Sequence, residues 1–396
     1  MKNKNIYYIC SVNSPIYGKR INEKLFIGAA YNKVSRLVIA LRQCGYKGYI
    51  VSLPVLNKGS GNLCSTKRHV FKENKHAVVM LKTHFFPFIR RLIGLFQFAF
   101  FCLIKVSKND RVIFYNISPE YLLALFFLRL KNNPGFLDIE DALRNDENDL
   151  ISYINRFSFS IAKLLCNKKF IVASNGIADI SKIEPKNACV INGVFRDDLK
   201  MLSFEEKTNR KLKVLLGGSL SHNTGVDIFC ETLELLSDKY SNYQHNIEFV
   251  VTGYGDDEYI KNIEDCLNKS CFSGLVEYNL THEQYNERLL SSDIGLCLKL
   301  PDNKMGQTTF PSKVIEICSS GALLVSTKVS DVPSLFVHKK NALLLDKASA
   351  SDLALSLIWS ADNIRSVKKI ASEGQRISEE NFSLASVGSR LLNFIY

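Results

Sequence analysis

The stretch KVLLGGSLSHNTGVDIFCETLELLSDKY, residues 213–240, decides the fold. It opens as an apolar run that ends in a glycine pair, Gly217–Gly218, which is how a buried parallel strand meets a tight turn. From Gly225 onward it reads as an amphipathic helix. Strand, glycine turn and helix make up the repeating unit of a doubly wound α/β sheet. The unit recurs at once in IEFVVTGYGDDEYIKNIEDCL, residues 247–267, and SDIGLCLKL and ALLVST supply two further strands.

The N-terminal half opens in the same way. Strand-like runs at 6–12 and 49–53 flank NEKLFIGAAYNKVSRLVIALRQCGYKG, where Val34, Leu37, Val38 and Leu41 follow helical spacing and Gly45 supplies the stop. Further strands are expected at 77–81, 111–115, 135–138, 169–173 and 188–191. The expected architecture is therefore α/β, two Rossmann-like domains covering 1–200 and 201–377. They join in the polar, charge-rich segment 192–210.

A chain of 396 residues is too long for one ordinary core, and 46% hydrophobic with 23% charged residues excludes global disorder. The net charge of +12 is unevenly spread. Residues 1–135 hold 22 Lys and Arg against 4 Asp and Glu, a net of +18; residues 196–396 hold 22 against 27, a net of −5. One half therefore faces something anionic, a nucleic acid or a membrane surface. The basic residues form no single stripe and no Arg-rich reader helix, which argues against nucleic acid.

Eleven cysteines, with no CxxC pair and no Cys/His cluster at zinc spacing, fit a reducing cytosol and no structural metal. His84, His222 and His282 likewise have no partner at metal spacing. No signal peptide is expected, because the apolar run IYYIC is too short and reads as a first strand. In FFPFIRRLIGLFQFAFFCLIK, residues 92–104 are 13 positions without a charge, short of the ~20 that span a bilayer. That segment reads as a buried helix, as an Arg-flanked helix lying in the headgroup region, or, as the remaining alternative, as a spanning helix.

The chemistry concentrates in TTFPSKVIEICSSGALLVSTKVSDVP, residues 308–333. Pro311 suits the start of a helix, and the free N–H groups there make an anion site. Ser312 adds a hydroxyl and Lys313 a charge. Glu316 lies four residues past Ser312, on the same face. A carboxylate placed there accepts from a ribose diol while diphosphate sits at the helix mouth. Diphosphate with sugar hydroxyls describes a nucleotide-sugar donor. Solvated surface residues remain the plainer reading of the same stretch.

The order GGSLSHNTGVDIF, VVTGYGDDEYI, SSDIGLCLKL and FPSKVIEICSSGALLVSTKVSDVP resembles the donor domain of GT-B glycosyltransferases, in particular retaining family 4, over most of 211–390. A fainter likeness continues through the Gly28 loop, FYNISPEY, LDIEDALRND and NGVF. The resemblance implies an interdomain cleft, a C-terminal helix at about 378–396 returning to the N-terminal domain, and a donor held mainly by the second domain. It implies no obligatory metal and no cofactor beyond the nucleotide diphosphate sugar itself. Gly218, Ser219, Lys299, Thr308, Thr309, Ser312, Lys313 and Glu316 would bind that donor.

Transfer would proceed with retention, the departing diphosphate assisted by Lys313 and the helix start. Glu140 or Asp141 would orient or deprotonate the acceptor, with Gly18, Arg20 and Gly28 in a loop contacting phosphate or acceptor. The implied setting is the inner face of the cytoplasmic membrane, with a lipid-linked or oligosaccharide acceptor in cell-surface polysaccharide synthesis. The chain departs from the pattern at three places. Thr308 stands where relatives carry the first of two glutamates, and Ser219 and Thr224 stand for a common Arg and Lys. A non-catalytic relative serving as a partner subunit is the competing expectation.

Overall fold

The computed structural model describes every residue except 1–3, 22–27, 57–64, 74–75, 142–149, 196–210 and 303. The chain divides into two compact units, Met1–Val194 with Leu384–Tyr396, and Phe195–Ser383. The change of unit falls at Val194, a few residues before the expected 200.

In the first unit, an eight-stranded sheet runs β8-β7-β6-β5-β1-β2-β4-β3. Its strands are β1 (Asn5–Cys10), β2 (Lys47–Ser52), β3 (His69–Glu73), β4 (His76–Met80), β5 (Arg111–Tyr115), β6 (Phe136–Ile139), β7 (Phe170–Val172) and β8 (Ala188–Val190). All neighbours are parallel except the edge pair β3–β4. The longer or site-bearing helices are α1 (Pro15–Arg20), α2 (Gly28–Gln43), α3 (Pro87–Lys105), α4 (Leu122–Leu130) and α5 (Leu150–Leu165), with a further short helix at Asn175–Ile180. A strand buried on both faces needs apolar side chains on both, and β1 supplies them. Tyr8 and Cys10 pack with α2, while Tyr7 and Ile9 pack with α3 and α4.

In the second unit, six parallel strands run in the order third, second, first, fourth, fifth, sixth. They are β9 (Leu212–Leu220), β10 (Ile247–Gly255), β11 (Ser273–Tyr278), β12 (Ile294–Cys297), β13 (Leu323–Ser326) and β14 (Leu343–Leu344). This order reverses between β9 and β12, and ligands of such sheets bind at the carboxyl ends beside the reversal. The helices α6 (Val226–Lys239), α7 (Asp257–Lys269), α8 (His282–Ser291), α9 (Ser312–Ser319), α10 (Ala350–Asp362) and α11 (Ile364–Phe382) belong to this unit.

The C-terminal segment is two helices rather than one. α11 ends at Phe382, buried against Phe310 of the second unit. Ser383 is extended at φ −62°, ψ 150°, and α12 (Leu384–Ile395) starts beyond it. The buried face of α12, with Leu384, Val387, Leu391 and Ile395, joins the α2 side of the first unit's core. A Cβ on Gly388 would stand 2.6 Å from the Ala40 carbonyl oxygen, so only glycine lets α12 and α2 approach this closely. The break at Ser383 is the point where the apolar face changes the core it serves.

Candidate functional site

The site in the second unit starts from the apolar run of β9. Val214, Leu215 and Leu216 are buried, and the glycine pair carries the backbone out at the carboxyl end. Gly218 has φ +106°, a region L side chains rarely adopt, and a Cβ there would lie 2.6 Å from Lys313 Cε. The glycine is therefore what lets the lysine stem cross the strand end. Lys313 comes from the first turn of α9. Pro311 sits at the N-cap itself, and no side-chain hydrogen bond caps the helix, so its first N–H groups and positive dipole end stay available to an anion.

Lys313 does not stand alone. Its Nζ donates to the Tyr285 hydroxyl at 2.6 Å and to Glu316 Oε2 at 2.9 Å. Tyr285 in turn donates to the same carboxylate oxygen at 3.1 Å. The ammonium also lies 4.1 Å from the Tyr285 ring centroid. Burial opposes the charge on Lys313, but Tyr285 and Glu316 outweigh it and its pKa is raised. Burial pushes the Tyr285 phenol up to about 12, against the pull of Lys313. At neutral pH the triangle thus holds an ammonium beside a neutral phenol.

A cavity of about 190 Å³ opens beside this triangle, lined also by Gly218, Thr252, Gly253, Asn279, Leu280 and His282. Thr252 is 1% exposed, and its Oγ1 has no hydrogen-bond partner among the described residues. The chamber thus offers a hydroxyl, an amide and an apolar wall next to a fixed cation. Tyr285 and Thr252 were missed in the sequence. The available signal was Thr281-x-x-Gln284, a capping box that fixes the start of α8 and places Tyr285 one turn in.

The other expected donor contacts spread around the strand ends. Ser312 is exposed at the mouth of α9, while Ser219 is exposed in the β9 turn, where its carbonyl accepts from Thr224 Oγ1 at 2.8 Å. Lys299 Nζ donates to the Thr309 carbonyl at 3.2 Å, and burial lowers its pKa. Thr308 is only 4% exposed. Gly218, Lys313 and Glu316 are brought together; Lys299 and Thr309 form a separate pair.

In the first unit, Glu140 and Asp141 follow β6. Lys33, from α2, forms ion pairs with Glu140 and, at 3.4 Å, with Asp138 Oδ1. Asp138 is fully buried and accepts from the Tyr8 hydroxyl. Burial pulls Lys33 down, but the two carboxylates prevail and its pKa is raised. Glu140 is raised by burial, against Lys33, with Asp138 and Asp141 adding repulsion.

Asn116, at φ +56°, holds the turn: its Oδ1 accepts from the Glu140 and Asp141 N–H groups, and its Nδ2 donates to Asp141 Oδ2 at 2.9 Å. Lys33 and Asn116 lie in stretches quoted from the sequence but were not singled out there, because both reach Glu140 from elements remote in sequence. Gly18 is buried in α1, Arg20 is exposed at its end, and Gly28 opens α2. The residues leading into Gly28 lie outside those described. Among the described residues no group of three or more His, Cys, Asp and Glu side chains is placed to hold a metal ion.

Residues 211–363 match the family described as "Glycosyl transferases group 1". Among solved structures, a glycosyltransferase from Rickettsia africae is 15% identical with a TM-score of 0.67, covering 100% of this chain and 98% of that one. Anabaena HepE in complex with UDP is 12% identical at a TM-score of 0.66, covering 98% of each. The sucrose-phosphate synthase of Thermosynechococcus elongatus is 11% identical at 0.67, covering 99% and 98%. Curated proteins give no sequence match. These likenesses fix a GT-B fold over the full length of the chain, and the family match lies within its second unit.

Proposed function

We propose that this chain, with the GT-B fold and a group 1 glycosyltransferase domain, transfers a sugar from a nucleoside diphosphate sugar to a saccharide acceptor. The observation that carries the reading is the Lys313–Tyr285–Glu316 triangle at the carboxyl end of β9, under an uncapped helix start. The helix N–H groups and Lys313 bind the diphosphate, and Glu316 accepts from the ribose diol. The adjoining chamber with Thr252, Asn279 and Leu280 takes the nucleoside. That HepE was solved with UDP supports a nucleoside diphosphate as the ligand class.

The chemical step is departure of the diphosphate. The charge that develops on its leaving oxygen is met by a lysine already desolvated and oriented, so little reorganisation is needed when the bond breaks. We assign this step to retention at the sugar carbon, without a metal, the leaving phosphate taking the proton of the incoming hydroxyl on the same face. Glu140, held by Lys33, orients the acceptor hydroxyl, and the acceptor is lipid-linked.

A non-catalytic subunit is the second reading. It is favoured by Thr308, buried where relatives carry a glutamate, and by Ser219 and Thr224, which bond each other across the turn. A coupled assay of nucleotide release across UDP-, GDP-, ADP- and CMP-sugars, with and without saccharide acceptors, separates the two. The transferase reading expects acceptor-dependent release from one donor. Nucleotide binding without turnover on any donor would instead identify a subunit.

A further inference from the structure

The first unit carries a large apolar surface that the transfer chemistry does not use. Helices α3, α4 and α5 pack side by side on one face of the sheet, burying Phe98 and Cys102, Ala124 and Leu128, and Phe159 and Ala162 in a shared core. Their outer face should then be polar. Instead Phe88, Leu92, Phe96, Phe100 and Ile104, spaced four apart along α3, form one exposed stripe, with Phe88 78% and Phe100 66% accessible. On the neighbouring helices Leu130, Phe157 and Leu164 are also exposed, the last at 77%. Between α3 and α4 a groove of about 560 Å³ is lined by Phe96, Phe100, Leu103, Ile104, Leu123 and Phe127.

The charge on these helices is equally one-sided. α3, α4 and α5 contain Arg90, Arg91, Lys105, Arg129, Arg156 and Lys163, and not one Asp or Glu. An exposed apolar face whose own helices carry cations and no acid does not complement itself: a second copy would set arginine against arginine. It does complement a surface that is apolar within and anionic at its rim. α3 is long and apolar enough to cross a membrane, yet Gly94, Phe98, Ala99 and Cys102 are buried on its inner side, so it is a layer of the domain.

We propose that the outer face of the α3–α4–α5 layer docks on an anionic phospholipid bilayer. The phenylalanine stripe enters the acyl boundary and the arginines meet lipid phosphates. This goes beyond the transferase reading and is independent of donor and acceptor.

The test is co-sedimentation of the full chain with vesicles of phosphatidylcholine alone and of phosphatidylcholine mixed with phosphatidylglycerol, at low and high salt. Binding is expected to the mixed vesicles at low salt, weakened as screening rises. The exposed double variant Phe96→Ser/Phe100→Ser should weaken it about tenfold or more while melting like the wild type. In a Trp359→Phe background, which removes the sole tryptophan, Phe100→Trp should shift its emission to shorter wavelength on adding mixed vesicles.

Wild-type protein that ignores mixed vesicles, or a double variant that binds them unchanged, overturns the proposal. So does a dimer in light scattering that the double variant dissolves, which would assign the face to a second copy. Nucleotide binding is read separately: Glu316→Ala should sediment with vesicles as the wild type does, so failure here leaves the donor site standing, and the reverse.

Discussion

At the residue scale, Gly218 and Lys313 depend on each other. Gly218→Ala forces an L side chain to φ +106° and sets its Cβ against the Lys313 stem. Denaturant unfolding should show a loss of about 1–2 kcal/mol, and nucleotide affinity should fall because the lysine is displaced. Lys313 and Glu316 were legible in the sequence because one helix carries both, three residues apart. Tyr285 was not, since it reaches the same carboxylate across 31 residues, and no local pattern encodes that pairing.

Lys33 is a positioning residue by the same logic. Removing it in Lys33→Met leaves the fully buried Asp138 and the partly buried Glu140 without their counter-charge, a loss of about 3 kcal/mol at neutral pH. The sign with pH follows from Glu140, raised above its ordinary 4.5. A carboxyl whose folded pKa exceeds its unfolded one favours the folded state while protonated, and that advantage is lost as pH rises through the folded value. Without Lys33 the folded value climbs further. The variant's deficit should therefore widen from acid to neutral pH, and the acidic limb of kcat/KM should move to higher pH. Lys33 itself, raised above 10.5, contributes stability throughout the neutral range and loses it only in alkali.

At the element scale, α12 closes the first unit's core from the far end of the chain. Leu391 is fully buried beside α2, and Leu391→Ala should cost about 2–5 kcal/mol. Nucleotide affinity should be unchanged, because α12 and the Glu316 site belong to different units. Long buried strands such as β9 and β10 were legible because a continuous apolar run ending in glycine has few other readings. The edge strand β11 was missed: its first three residues are exposed, and it shows no alternation to read. β14 has two residues and β3 pairs only at an antiparallel edge; both exist because a neighbouring strand offers hydrogen bonds. The split at Ser383 was hidden for a related reason, since helical periodicity reports an apolar face but not which core it meets.

At the scale of the whole molecule, the two halves of the sequence differ in net charge. The basic N-terminal half carries the helical layer whose three helices hold no acid, and the slightly acidic C-terminal half carries Lys313 beside the cavity proposed for the donor. In the second unit the strand order itself places the proposed donor site, because the reversal between β9 and β12 brings the glycine turn beside α9. That order could not be read from spacing alone; only the recurrence of strand, glycine and helix could.

The most direct measurement is a calorimetric titration of UDP, GDP, ADP and CDP into the wild-type chain and into Glu316→Ala. The account predicts that one of the four binds the wild type, and that the variant, folded but of lower Tm because Lys313 loses its counter-charge, binds it about tenfold or more weakly, as expected for losing a hydrogen bond to a charged group. Equal affinity in the two proteins, or no binding of any of the four to the wild type, would contradict it.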